Sequence, residues 1–364
     1  MRQSLTLTLY LGRQYLVAIL SIIIVLAVLA YSFDTIELLR RASSRADATL
    51  DLVLQMSLLK LPTLTTKLFP FAALFGGMLA LSRLTRSQEL TVARAAGVSV
   101  WQFLFPGLAI TFLLGAFVVT VYNPLSAAML ARYENIEAKV LRGRSSMLAL
   151  SPSGLWLREA DASGQVVVHA LRAAQQGVQL YDTILFYYDS SDRFVKRIDA
   201  ATAFLENDHW SLQQAVVSYP DRPAEWHPAM TVPTTLTFDR IQESFASPST
   251  ISFWQLSSFI STLESAGFSA VRHRLHFYSL LATPVLLCAM LLIAASFSLR
   301  LTRGGGIGLM LAGGVAVGFL LYFSVELMQP FGLNGTLPAP LAAWAPTIVF
   351  AMLGISRLFH LEDG

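Results

Sequence analysis

Charge is what this sequence has least of. Only 13% of its 364 residues are Asp, Glu, Lys or Arg, about half the share in a soluble domain. With 54% hydrophobic residues, the composition excludes intrinsic disorder and argues against a soluble globular protein. The formal net charge is +3, which offers no field for nucleic acid. Cysteine is nearly absent: Cys288 stands alone in an apolar run, so no intrachain disulfide can form and the thiol reads as a small hydrophobe. No G-x-x-x-x-G-K-[ST] occurs, so the chain cannot cradle ATP in a P-loop of its own. Gly304-Gly-Gly-Ile-Gly lacks the lysine, follows no strand and reads as a turn opening an apolar run. His169, His209 and His227 are scattered at no metal-ligand spacing, and His273 and His276 read as interfacial residues rather than ligands. No G-x-S-x-G signature is present. The expectation is a non-enzyme that binds no metal or cofactor itself.

Long uncharged runs are what the sequence does have. A helix crosses the hydrocarbon core with about 20 mostly apolar residues. Gln14 to Phe33 is such a run, too long for a signal-peptide core and without a small-residue cleavage site. It continues helically into Asp34-Thr-Ile-Glu-Leu-Leu-Arg-Arg-Ala. A second span has its apolar body at Leu68 to Ser82, with Lys67, Pro62 and Pro70 nearby. A third covers Trp101 to Tyr122 and ends near Asn123-Pro124. Three more are Leu275 to Leu299, Gly304 to Val325 and Leu341 to Ser356. Only Lys67 and Glu326 approach membrane depth, both near interfaces.

Residues 132–252 differ in kind. Short β-like segments alternate with turns: Gly154 to Arg158, Gln165 to His169, Thr183 to Tyr188, Ala201 to Glu206, Trp210 to Val217 and Thr234 to Phe238. Asp161-Ala-Ser-Gly, Asp189-Ser-Ser-Asp and Glu206-Asn-Asp supply turn chemistry. This spacing suggests an all-β sandwich inserted between two helix triplets. Phe253 to Ala266 then reads as an amphipathic connecting helix. The expected fold is an α-helical membrane protein of six transmembrane helices (3+3) with an inserted β domain, organised as 1–131, 132–252 and 253–364.

Arginine in short loops gives the orientation. Arg2, Arg13, Arg83, Arg86, Arg94, Arg300, Arg303 and Arg357 fall on one side, which is then the cytoplasm, and Leu327 to Pro340 has no Lys or Arg. The termini are therefore cytoplasmic and the β domain lies outside. One outer loop departs from this pattern with Arg40, Arg41, Arg45 and Lys60, among Asp34, Glu37, Asp47 and Asp51. These arginines either meet an anionic substrate, since Arg pairs bidentately with phosphate, or neutralise the neighbouring carboxylates.

The most informative stretch is Leu68-Phe-Pro-Phe-Ala-Ala-Leu, followed after the span by Ser87-Gln-Glu-Leu-Thr-Val-Ala-Arg-Ala-Ala-Gly. Ser87 can cap a short helix over residues 87–97, Glu89 lies near its positive end and Gly97 can stop it. It is either a turn between spans or a membrane-parallel helix that docks into another protein. This stretch resembles the Pro-x-Ala-Ala-Leu…Ser-Glu-Leu-x-x-x-x-Ala-x-Gly region of the YjgP/YjgQ family, the LptF and LptG permeases of the lipopolysaccharide exporter. The resemblance covers nearly the whole chain, including Gly154-Leu-Trp, Pro284 with Ala294-Ala-Ser-Phe, and Pro330-Phe-Gly. Asp34-Thr-Ile-Glu-Leu-Leu-Arg-Arg-Ala is similar to the LptG branch.

The resemblance implies a transporter half. It would pair with an LptF-like permease above two copies of the ATPase LptB, which supplies ATP and Mg chemistry, in the inner membrane of a Gram-negative bacterium. The cavity between permeases would take lipopolysaccharide from the inner membrane. A jelly-roll-like periplasmic β domain would pass it to a bridge with LptC and LptA. Arg40, Arg41 and Arg45 become candidates for substrate contact. The stretch Arg132-Tyr-Glu-Asn-Ile-Glu is more acidic than the family pattern and leaves Arg132 as its candidate. Glu89, Leu90, Arg94 and Gly97 become candidates for ATPase coupling, with Glu89 the main polar contact and Leu90, Val92, Ala93 and Ala96 filling a groove. Within the family the alternative is the paralogous LptF subunit, and two other classes compete: an ABC-type mechanotransmitter, which usually has four spans, and a secondary transporter, which calls for intramembrane carboxylates or broken helices.

Overall fold

The computed structural model describes residues 5–42, 49–95, 97–137, 140, 149–151, 154–161, 164–174, 179–191, 193–206, 209–234, 236, 247–265, 269–300 and 307–362. The chain divides into two compact units: a helical one of Met1–Leu141, Ser252–Trp254 and Arg274–Gly364, and a β one of Arg142–Ile251 and Gln255–His273. Against the boundaries expected at 132 and 252, residues 132–137 stay helical in the first unit and 255–273 join the second.

The helical unit begins with α1 (Leu5–Ala42) and α2 (Leu50–Arg86), then α3 (Glu89–Ala95), α4 (Val100–Phe117) and α5 (Asn123–Glu137). After the β unit come α6 (Phe253–Ser265), α7 (Val271–Arg300), α8 (Ile307–Leu333) and α9 (Ala339–Glu362). Six stretches are long and apolar enough to cross a membrane: Thr6–Ala42, Leu50–Arg86, Val100–Glu137, Val271–Leu299, Ala312–Leu333 and Ala339–His360. At 1.5 Å per residue, the 38 residues of α1 run about 57 Å, well beyond a hydrocarbon core of about 30 Å.

Residues 34–42 continue α1, as expected, but the outer loop expected to carry Lys60 is corrected. Residues 50–67 belong to α2, so Lys60 and Lys67 sit on a helix. Pro62 and Pro70 obscured this. Each forfeits one backbone bond, which a membrane helix tolerates where hydroxyls and neighbouring helices re-satisfy the backbone. The Thr65 and Thr66 hydroxyls donate to the Leu61 and Pro62 carbonyls four residues back. Thr49 caps the start of α2 through its hydroxyl, which accepts from the Leu52 amide.

The third span shows what a proline does when its lost bond finds a use. Pro124 has no N–H to give the Thr120 carbonyl, and its ring crowds that carbonyl. The backbone widens into a turn of π-helix at Val118–Tyr122, joining α4 to α5. The Trp254 indole donates to the freed Thr120 oxygen at 3.0 Å. Buried Asn123 accepts the Phe253 amide at 2.8 Å, satisfying an orphan donor in the first turn of α6. Close helix crossings rest on small residues: a Cβ on Gly76 would lie 2.6 Å from the Ile19 Cα, and one on Gly115 2.5 Å from the Pro284 Cα.

Seven antiparallel strands in chain order make the β sheet: β1 (Ala149–Ser151), β2 (Gly154–Asp161), β3 (Gly164–Ala174), β4 (Gln179–Asp189), β5 (Phe194–Glu206), β6 (His209–Ser218) and β7 (Glu225–Pro233). The inserted all-β domain stands, but among the described residues it is one meander rather than two sheets joined by crossovers. β1 and β7 were not expected, and most of Thr234 to Phe238 lies outside the described residues. At the β4–β5 turn, Asp189 accepts the Ser191 and Arg193 amides at 2.8 and 3.0 Å. These bonds hold its carboxyl below the usual carboxylate range.

One sheet forms a closed core because it is creased. Leu171, Asp182, Ala201, Gln214 and Pro228 form a row across five strands in which no cross-strand pair is made. All five are exposed. Asp182 and Gln214 have φ of 51° and 53°, and Pro228 has no amide to offer. The row shifts the side-chain alternation by one residue, and such a shift turns side chains to the other face. On one side of the row the buried residues are Leu180, Ala203, Leu205, Trp210 and Leu212, and on the other Leu185, Ile198, Ala200, Ala215 and Val217, so along each of β4, β5 and β6 the buried parity changes from even to odd as the strand crosses it. The bend therefore keeps apolar residues inward on both sides, where Leu263 of α6 and Ala270 complete the core. Gln214→Val, which puts a β-branched residue in the left-handed region, is expected to cost about 1–3 kcal/mol, whereas Gln214→Gly is tolerated. Thermal unfolding of the full chain in detergent checks the difference.

Candidate functional site

Two groups of side chains stand out, at opposite ends of α1. At its C-terminal end, Arg40 donates through Nε and Nη2 to the two Glu37 carboxylate oxygens, both at 3.0 Å. Arg41 Nε donates to the same carboxylate at 2.8 Å. Both guanidinium groups remain more than half exposed. Exposed intrahelical pairs of this kind contribute little, about 0–1 kcal/mol, so they arrange the arginines without committing them. Arg40 also ends an exposed row at four-residue steps: Leu20, Ile24, Val28, Ser32 and Ile36. Such a face is apolar along the membrane span and cationic at its tip.

One turn before Glu37 lies a pair that sequence reading missed. Asp34 is 8% exposed and receives the Lys60 ammonium from α2. The Ser57 hydroxyl also donates to Asp34, at 3.2 Å, and Thr35 donates to Ser57 at 2.9 Å. Lys60 Nζ lies 5.5 Å from the centre of the Tyr133 ring of α5. Leu38, Val53, Met56, Leu130 and Tyr133 pack around this network. Lys60 is therefore held by Asp34 rather than displayed with the arginines. Arg132 is exposed beside Tyr133, at the same end of the helical unit. Arg45 lies outside the described residues.

At the other end is α3. Gly97, with φ of 84°, supports the stop after this helix, and the Val98 amide closes onto the Ala93 carbonyl. Ser87 does not act as the expected cap. Its hydroxyl is 2.8 Å from Glu89 Oε1 and 3.2 Å from the Leu84 carbonyl, because Ser87 still belongs to the end of α2 and Gln88, at φ 60°, makes the turn. Glu89 Oε1 also accepts the Tyr10 hydroxyl of α1 at 3.2 Å, and Gln14 donates to Tyr10 at 3.2 Å. Leu90, expected in a partner's groove, is instead buried in this chain's own core. Val92 is 67% exposed. Arg94 lies on α3, and Ala96 lies outside the described residues.

Among the described residues, no group of His, Cys, Asp and Glu could hold a metal ion. His273 packs its ring on Phe259. Cys288 donates to the Leu108 carbonyl at 3.5 Å, as a small half-buried core residue.

Six helices long and apolar enough to cross a membrane, with a β unit inserted between them, define a multi-pass membrane protein. Residues 9–360 match the family described as lipopolysaccharide export system permease LptF/LptG, and the chain belongs to that family. It is similar to the lipopolysaccharide export system permease protein LptG of Escherichia coli (strain K12), with 25% identity over 366 residues covering 96% of this chain and 97% of that protein. The protein of the same name from Haemophilus influenzae (strain ATCC 51907 / DSM 11121 / KW20 / Rd) is 26% identical over 362 residues, 96% of each chain. The family assignment makes the chain a permease of a transport system rather than an enzyme.

Lys60→Met leaves the Asp34 carboxylate buried without its cation. It is expected to destabilise the chain by up to about 3 kcal/mol, the low end for a broken buried pair because Lys60 keeps some exposure. Adding Asp34→Asn should recover part of the loss. Thermal melts of the two variants in detergent make the comparison.

Proposed function

We propose that this chain is the LptG-type half of a lipopolysaccharide exporter in the inner membrane. It works with an LptF-like permease and two copies of the ATPase LptB, which supply ATP and Mg chemistry, and feeds a bridge of LptC and LptA. The observation that carries the reading is the face of α1. An apolar row capped by two exposed guanidinium groups complements an amphiphile with acyl chains and headgroup phosphates. Arg40 and Arg41 make the first contact, with Arg45 and Arg132 as further cations. Arginine placement in short loops supports cytoplasmic termini and a periplasmic β unit. Six candidate spans rather than four speak against a mechanotransmitter.

In this reading α3 is the coupling helix. Leu90 anchors it to the helical unit, exposed Val92 faces the ATPase, and Glu89 supplies the directional charge, with Arg94 and Gly97 in the same segment. The tie from Glu89 to Tyr10 links the ATPase contact to α1, which carries the arginines at its far end.

Two measurements test these assignments. Arg40→Glu with Arg41→Glu should weaken lipopolysaccharide binding while leaving ATPase assembly intact. Photo-crosslinkers at both positions that never capture lipid during export would overturn the contact. Glu89→Lys should abolish ATPase copurification. The loss expected for truncating an interface carboxylate is about 2–5 kcal/mol, against about 0.3–1 kcal/mol for a helix-end charge alone. Tyr10→Phe, which removes only the internal bond, should leave assembly intact. Wild-type assembly and export in Glu89→Lys would refute the coupling role.

A further inference from the structure

Lys67 of α2 and Glu326 of α8 are both exposed, and among the described residues neither makes an ion pair. By contrast, Asp34 holds Lys60 and Glu37 holds both arginines. Lys67 lies seven residues beyond Lys60, about 10 Å deeper into the apolar part of α2. Unpaired charges at such depth are costly and call for a partner.

The helix packing supplies one. A Cβ on Gly314 would lie 2.9 Å from the Met78 Sδ and 3.2 Å from the Phe75 ring, and one on Gly318 would lie 3.0 Å from the Phe71 ring. The contacts ascend α8 as they descend the numbering of α2, so the two helices run antiparallel. At four-residue steps the α2 row reads Phe75, Phe71, Lys67, and the α8 row reads Gly314, Gly318, Tyr322, Glu326. With Gly318 level with Phe71, Lys67 lies about 6 Å further along and Glu326 about 12 Å. Side chains tilt toward the N-terminus of their own helix. Lys67 therefore leans up toward Glu326, and Glu326 leans down toward Lys67.

Above Gly318 the α8 row loses its cover, since Tyr322 is 53% exposed and Glu326 is exposed. Gly314 and Gly318 hold α8 against α2, Leu321 stays buried beside them, and the Tyr322 and Glu326 row beyond is uncovered, so the glycine contacts can serve as a pivot for the part above them. We infer that Lys67 and Glu326 are two halves of an ion pair that closes the α2–α8 cleft and parts when α8 swings about Gly314 and Gly318. Closed, the charges satisfy each other. Open, water or headgroups take their place. The pair stands on the packing of this chain alone, and only the export arm of its test rests on the transport reading.

The test uses the full chain in its membrane, with Cys288→Ala removing the native thiol. Lys67→Cys with Glu326→Cys should form an intrachain crosslink with a short bis-maleimide, whereas Lys67→Cys with Val315→Cys should not. Lys67→Glu and Glu326→Lys should each reduce lipopolysaccharide export by about fivefold or more, and the exchanged pair should recover most of it. Absence of the crosslink, single variants at the wild-type level, or an exchange no better than the singles would overturn the pair. A wild-type chain that supports no lipopolysaccharide export sinks the export reading instead, and the crosslink still decides the pair.

Discussion

The absence of water from a slab about 30 Å thick governs this molecule. Inside it every backbone group needs a partner from the protein. That requirement explains long, uninterrupted helices and the indole that takes the carbonyl freed by Pro124, and the Thr65 and Thr66 hydroxyls meet a like need by folding back onto carbonyls of their own helix. It also explains the charges. Asp34 is buried but holds Lys60, and the arginines stand beyond the uncharged run of α1.

The same constraint gives α1 its two-ended character. One end carries the arginine pair on Glu37, and the other is tied through Tyr10 to Glu89 of α3. A single helix thus touches both candidate sites, and a rigid helix carries displacement along its axis. The internal Glu89 bond and the internal burial of Leu90 fix α3 to this chain before any partner arrives. The β unit obeys a different rule. Without a second sheet among the described residues, it closes its core by a crease that turns apolar residues inward on both sides, with α6 residues against it.

Much of this was legible along the chain because the governing signal is local. Uncharged runs mark the spans, and a composition change marks the insert. Alternation marked five of the strands. Prolines misled in opposite ways: Pro62 and Pro70 hid the first turns of α2, and Pro228 hid β7, where an edge strand tolerates a missing amide. The crease was invisible because it reverses alternation within β4, β5 and β6, leaving no long period-two run.

The sequence by itself determined the class, the span order and the candidate arginines, since each follows from composition or near-neighbour spacing. Only the tertiary structure decided which charges are spent. Asp34 and Lys60 are 26 residues apart, and Tyr10 and Glu89 are 79 apart. Both pairs depend on how helices pack. Arg40 and Arg41 share a carboxylate yet stay exposed, Lys60 is held internally, and Leu90 turns inward. An ionisable or apolar side chain declares its chemistry in the sequence. Whether that chemistry is available depends on neighbours that only folding brings together.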